Sequence, residues 1–190
     1  MLQKTLGYIT GQLLIATPQM DDPRFKKSLI YVCGHDKNGA MGIIINRPMP
    51  SPTFPELLFQ LGIETLPQYP NTKIYFGGPV EGGRGFVLHS PDYDHEATVQ
   101  ITNNISLTAT IDVVRAIAIG KGPTNAIMAL GYAGWQAGQL DDELRSNAWL
   151  VAPGDTELLF DSDADRKWDQ AMASIGISNA ALLISEIGHA

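Results

Sequence analysis

The sequence predicts a single α+β domain. Three observations carry this. A β-rich hairpin pattern occupies residues 28–46, apolar residues recur at helical spacing mainly in the second half, and no internal repeat or long linker divides the 190 residues. Strands first and helices later argue against a regular alternation of strand and helix. Hydrophobic residues make up 44% of the chain, enough for a sizeable core.

Taken in order, Gln12–Thr17 reads as a short apolar strand, and Thr17-Pro18 through Asp22-Pro23 as a loop, because proline disfavours helix at and before its own position. Ser28–His35 is a strand with Leu29, Tyr31 and Cys33 on one face and Ile30 and Val32 on the other. Asp36-Lys37-Asn38-Gly39 reads as a hairpin turn in which Asn-Gly supplies positive φ angles. Met41–Asn46 returns as a central strand, apolar on both faces. Phe54, Leu57, Leu58 and Leu61 have helical spacing, with a stop at Gly62. Lys73–Phe76 and Gly85–His89 read as a strand pair joined by the glycine-rich segment 77–83, and Thr98–Thr102 as a half-buried strand.

In the second half, Ile111, Val114 and Ala118 mark a helix that stops at Gly120, and Ala126–Leu130 a strand. Trp135, Leu140 and Leu144 mark a further helix, and Ala148–Ala152 a strand. Trp168, Met172 and Ile175 mark a last helix, closed by Gly176, with Asp161, Asp163 and Asp165 as acids at its start.

Charge narrows the function classes. Residues 1–95 carry eight Lys/Arg against eight Asp/Glu, and residues 96–190 carry five against twelve, so the whole net charge of −7 lies in the second half. That half repels nucleic acid and anionic lipid. A local basic group, Arg24, Lys26, Lys27, Lys37 and Arg47, reads as a solvated face before an anion patch. One cysteine excludes an internal disulfide, no apolar stretch is long enough to span a bilayer, and the opening Lys4–Gly11 lacks an apolar targeting core. The expectation is a cytoplasmic protein without a membrane partner.

Three blocks of sequence are similar to one known family. The first is Gly11-Gln12-Leu13-Leu14-Ile15-Ala16-Thr17-Pro18, then Ser28-Leu29-Ile30-Tyr31-Val32-Cys33-Gly34-His35, then Gly39-Ala40-Met41-Gly42-Ile43-Ile44-Ile45-Asn46-Arg47-Pro48. The second is Gly77-Gly78-Pro79-Val80 with Arg84-Gly85-Phe86-Val87-Leu88-His89-Ser90. The third is Leu130-Gly131-Tyr132-Ala133-Gly134-Trp135 with Gly138-Gln139-Leu140, Glu143-Leu144 and Asn147-Ala148-Trp149-Leu150. In order and separation these resemble the YqgE/AlgH family over residues 11 to about 150, and the Trp168 helix extends the match. Gly34 departs from the pattern, since many relatives have Glu before the His. The resemblance implies one α+β domain over 1–190, a bifurcated sheet curling toward a barrel with helices packed around it, and a bacterial source. The family carries a transcriptional-regulator label, which no residue here displays.

No residue set spells out a reaction, so no catalytic residue, cofactor or metal ligand is assigned. Arg47 and Arg84 sit at strand ends beside glycine-rich backbone, and guanidinium groups recognise carboxylate or phosphate bidentately. With His35, Asn46, Gly77, Gly78, Gly85 and His89 they are the candidate ligand-binding residues; the simpler reading ties the arginines to loops. Gly77-Gly78-Pro79 has no following Lys-Ser/Thr and is not a phosphate loop. Cys33 and His35 on one strand face suggest a thiolate–imidazole pair, but a mid-strand Cys is more often packed core.

His89, Asp92, Asp94 and His95 match no standard metal spacing. Asp161–Asp165 opens like a calcium loop, then fails with Arg166 where Gly is needed and Met172 where Glu is needed. Tyr132, Trp135 and Trp149 offer stacking faces, but such residues are more often core aromatics. A helix-turn-helix across 107–147 would carry Asp141, Asp142 and Glu143 on its recognition helix, which phosphates repel.

The leading reading is therefore a non-catalytic regulatory or accessory protein that binds a small anionic ligand or a protein partner. The alternatives are a direct transcriptional regulator and an enzyme with an unrecognised His/Arg site.

Overall fold

The computed structural model describes residues 7–64, 72–161 and 163–178. Ser162 and the start of the Lys4–Gly11 segment lie outside these. The described strands are β1 (Leu13–Ala16), β2 (Leu29–Asp36), β3 (Gly39–Ile44), β4 (Ile74–Phe76), β5 (Val80–His89), β6 (Val99–Gln100), β7 (Ser106–Thr108), β8 (Ala126–Gln136) and β9 (Trp149–Ala152). The helices are α1 (Phe54–Gln60), α2 (Ile111–Ala118), α3 (Gln139–Arg145), α4 (Thr156–Phe160) and α5 (Ala164–Ser174). The strands form one sheet in the order β6-β7-β5-β8-β3-β2-β1-β9, with β4 added parallel to β8.

The sheet forks along β8. One edge of β8 pairs with β5 from Ala126 to Leu130 and again at Tyr132. The other edge pairs first with β4, at Met128–Leu130, and then with β3, at Ala133–Gln136. Gly77 and Gly78 make the change of partner. Gly77 N–H donates to Leu130 O at 2.8 Å, and Gly77 O accepts from Ile44 N at 2.8 Å. A Cβ on Gly78 would lie 2.0 Å from the carbonyl carbon of Tyr132, so only glycine lets the backbones approach this closely.

The curled sheet has an inner and an outer face. Alternation along β2 sends Leu29 and Tyr31 inward, into a cluster with Leu13, Ile43, Phe86 and Trp168, and sends Ile30 and Val32 outward, against Trp135, Leu140 and Trp149. A third cluster packs Phe54 and Leu58 of α1 and Val113 and Ile117 of α2 over Val87 and Met128. Thr53 opens α1 with a capping box: Glu56 N donates to Thr53 Oγ1, and Thr53 N donates to the Glu56 carboxylate at 2.7 Å.

Helix α5 closes one end of the inner face. Trp168 Nε1 donates to Ala16 O at 3.0 Å, and the fully buried Lys167 ammonium donates to Ile45 O at 3.0 Å and Leu159 O at 2.9 Å. The Lys167 Nζ also lies 5.3 Å from the Tyr75 ring centroid, and burial lowers its pKa to about 8.

The α+β fold with a bifurcated, curled sheet is as expected; several local readings are corrected. Lys73–Phe76 and Gly85–His89 are not a pair, because β8 lies between them. Strand β8 runs through Gly131 to Gln136, so Trp135 is a strand residue, and α3 starts only at Gln139. The hairpin turn is held by Asp36 Oδ1, which accepts from Asn38 N at 2.7 Å; Asn38 has no positive φ, whereas Gly39 does, at 139°. The strand expected at 98–102 is only β6, Val99–Gln100, and it is exposed; β7 follows as a further strand, and α4 intervenes before α5. The last helix is not capped by a direct Asp side chain; Asp161 Oδ1 instead accepts from Asp163 N at 2.9 Å. The 107–147 segment places all of β8 between α2 and α3, which is not the connection of a helix-turn-helix.

Candidate functional site

The end of the inner face that α5 leaves uncovered is an open cleft of about 930 Å³. Its apolar floor comes from Met41 of β3, Tyr132 of β8, Phe86 of β5, Leu107 of β7 and Val99 of β6. Alternation on neighbouring strands aims these side chains inward together, and Phe86 and Tyr132 meet edge to face with centroids 5.7 Å apart. Asn38, Gln136 and Thr110 add polar groups around it.

Arg84 sits in this wall. Its guanidinium carbon lies 5.1 Å from the Phe86 ring centroid, and Nη1 is 3.3 Å from Glu81 Oε2. Both charged side chains are more than half exposed, so this pair is weak and exchangeable. The rim segment Glu81–Arg84 bows out because Val80 pairs with Tyr132 while Gly85 pairs with Leu130, leaving Gly131 alone opposite the intervening residues.

The candidate residues do not assemble around one pocket. Arg84, Gly85 and His35 are close to or in the cleft wall; the others have different work. Arg47 donates to Lys26 O at 2.7 Å, Pro23 O at 3.3 Å and Arg24 O, which pins the 17–28 loop. Asn46 Oδ1 accepts from Leu29 N at 2.9 Å, and its Nδ2 donates to Lys27 O at 2.8 Å, continuing the ladder past the end of β3. Gly77 and Gly78 form the fork. His89 is fully buried at the opposite end of β8 from Trp135, with Nδ1 donating to Ser90 O at 2.7 Å and Nε2 accepting from Thr108 Oγ1 at 2.8 Å.

His35 lines the cleft, but its side chain is only 1% exposed. Nδ1 accepts from Ile9 N at 3.3 Å, Nε2 lies 3.4 Å from Asp141 Oδ2, and the ring meets Tyr8 edge-on at 5.1 Å. The expected shared face of Cys33 and His35 does not occur. The register shifts between Val32 and Gly34, which makes Cys33 a bulge and breaks the alternation. Cys33 packs inward with Tyr31, and His35 is held outward by Ile9 and Asp141. Burial pushes the Cys33 thiol up, away from the thiolate a nucleophile needs.

The remaining motifs resolve as structure. Asp92 accepts from Ser90 Oγ at 2.5 Å and from Thr124 N at 2.9 Å and Oγ1 at 2.5 Å; these bonds hold its carboxyl down at about 2. His95 lies 3.6 Å from Asp112. Among the described residues, no group of three or more His, Cys, Asp or Glu is placed to hold a metal ion. Trp135 Nε1 and Trp149 Nε1 both donate to Glu143 Oε2, each at 2.8 Å, which joins α3 to β8 and β9 on the outer face. Of Tyr132, Trp135 and Trp149, the first two line the cleft, Tyr132 on its floor and Trp135 beside it, while Trp149 packs on the outer face. Met41, Phe86 and Leu107 were not singled out from sequence; the available signal was their strand parity, hidden until pairing partners are known.

The chain matches the family described as AlgH-like (DUF179) over residues 13–180. The chain belongs to the AlgH-like family. A UPF0301 protein of Rhodospirillum rubrum is 51% identical over 190 residues, spanning 100% of this chain and 98% of its own length. A UPF0301 protein of Rhodopseudomonas palustris is 53% identical over 191 residues, with 96% and 89% covered. The solution structure of AlgH from Pseudomonas aeruginosa superposes with a TM-score of 0.79 at 40% identity, covering 97% of each chain. Protein DIP2367 of Corynebacterium diphtheriae shares the fold, with a TM-score of 0.70 at 20% identity and 90% and 89% covered. Among the described residues of this family member, no helix is long and apolar enough to cross a membrane.

Proposed function

We propose that the protein is a non-catalytic regulatory or accessory protein that binds a small anionic ligand in the open cleft, with the anion at Arg84 and an apolar body on the floor. The observation that carries this is Arg84 resting on Phe86 at the wall of an apolar-floored cleft of about 930 Å³. Its volume lies within the range of small-molecule sites, which combine apolar lining with a few polar groups. Glu81 occupies the guanidinium as an exposed partner that a ligand carboxylate, sulfonate or phosphate displaces at little cost. A non-catalytic role is supported by the state of the groups suited to chemistry: the Cys33 thiol is held protonated, and the His35 and His89 rings are enclosed and hydrogen-bonded.

The test is a fluorescence titration with anilinonaphthalene sulfonate at neutral pH. Saturable one-to-one binding is expected, weakened about tenfold in Arg84→Ala, as loss of a charge-assisted hydrogen bond of about 1.4 kcal/mol gives. Binding that is absent, or indifferent to Arg84→Ala, overturns the reading. Submicromolar affinity for duplex DNA with a steep salt slope would favour direct regulation instead.

A further inference from the structure

The ladder between β5 and β7 starts only at Val87 opposite Thr108. Upstream, Gly85 and Phe86 have no strand partner on that side among the described residues, because the chain turns away at Ala109 and Thr110 to begin α2. Beside this gap the cleft and a second cavity lie next to each other. Both are lined by Phe86, Ala109 and Thr110. The second cavity holds about 130 Å³ and is walled mainly by apolar side chains, including Leu57 of α1 and Leu61 just after it, Val114 of α2, and Met128 and Leu130 of β8. A closely similar volume in another protein, roughly 150 Å³, stays dry and accepts a benzene-sized guest.

Gly83 and Gly85 line this second cavity, and neither is required by the fold. A Cβ at Gly83 would have no atom within 4 Å, and one at Gly85 would meet only Leu130 Cδ2, at 3.9 Å. Neither has the positive φ that Gly78 and Gly131 have. These two positions therefore leave unfilled space between Arg84 and an apolar hole.

We propose that the ligand is a linear aliphatic carboxylate. Its head replaces Glu81 on Arg84, and its tail passes between β5 and the start of α2 into the pocket under α1. This rests on the cleft being the binding site and adds the shape of the occupant. A compact aromatic anion would use the cleft alone; a flexible unbranched chain fills both spaces, expelling water from the cleft and making apolar contacts in the second cavity. The glycines at 83 and 85 keep the route open.

The experiment is isothermal titration calorimetry with butyrate, hexanoate, octanoate and decanoate, each below its micelle concentration. Affinity is expected to rise about fourfold per added methylene while the tail fills the pocket, then to level off. Gly85→Leu is expected to weaken decanoate at least tenfold and leave butyrate unchanged, with Gly85→Ala intermediate and its melting temperature as a check on folding. Arg84→Ala should weaken the whole series. Equal affinities for butyrate and decanoate, or decanoate binding unaffected by both Gly85 variants, overturn the tail route while anilinonaphthalene sulfonate binding keeps the cleft reading. If neither the carboxylates nor the sulfonate binds, both fall.

Discussion

Glu143 holds two indoles with one oxygen. Trp135 Nε1 and Trp149 Nε1 each donate to Oε2, while Oε1 accepts from Gln139 Nε2 at 3.0 Å. Removing this carboxylate leaves two largely enclosed N–H groups without an acceptor, which costs roughly 2–4 kcal/mol. Glu143→Ala is therefore expected to lower the denaturation midpoint and shift tryptophan emission, while Glu143→Gln, which keeps an acceptor, recovers most of both. At the same scale, His35 shows what sequence could not reveal. The bulge at Cys33 reverses the side of the sheet on which residue 35 stands, and only the pairing of Gly34 with Met41 discloses it. Arg47 and Asn46 were legible as polar groups at a strand end, but the carbonyls that occupy them belong to a loop some twenty residues earlier.

Among the elements, the β2–β3 hairpin and α1 were readable because their signals are local: two-faced alternation, a short turn, and the helical spacing of Phe54, Leu57, Leu58 and Leu61. Strand β8 was legible only over Ala126–Leu130; its continuation to Gln136 was not, because Gly131 and Gly134 interrupt the apolar pattern while their absent side chains serve close packing around the fork. Substitution separates the glycines by role. Gly78→Ala drives a methyl into Tyr132 backbone at an unfavourable φ and is expected to cost more than about 3 kcal/mol. Gly85→Ala, which meets only ordinary contact, is expected to stay within about 1 kcal/mol of the parent, as urea unfolding of both variants would show.

For the molecule as a whole, buried ionisable groups set the alkaline side of the stability profile. The folded-state pKa of Lys167 is depressed to about 8 from 10.5, so between those values the unfolded chain binds more protons and stability rises with pH. Cys33 and Tyr31 act oppositely. Their pKa values are raised by burial, that of Tyr31 to about 12, so they subtract stability above roughly pH 9 and pH 10 respectively. Stability is expected to gain about 1 kcal/mol between pH 7 and pH 9 and then decline, and Lys167→Met should abolish the gain. On the acid side, Asp92, held at about 2, contributes stability above its ordinary value of 3.8 that is lost as pH falls toward 2. Asp92→Asn should flatten that limb in a denaturation series from pH 5 to pH 2. The excess of acids in the second half was visible in composition, but which of the charged groups lie buried was not.

The pairing of Gly42 with Ala133 and of Leu13 with Ala152 has a consequence for how the chain is made. The β2–β3 hairpin leaves the ribosome with Ile30, Val32 and Ile44 turned toward a cluster whose large covering residues, Trp135, Leu140, Leu144 and Trp149, are still untranslated. At elongation rates of about 5–20 residues per second the wait is on the order of 5–20 s. During that interval a sticky, half-dressed ribbon stands in a crowded cell, so nascent copies of this protein should be steady clients of ribosome-associated chaperones until β9 emerges.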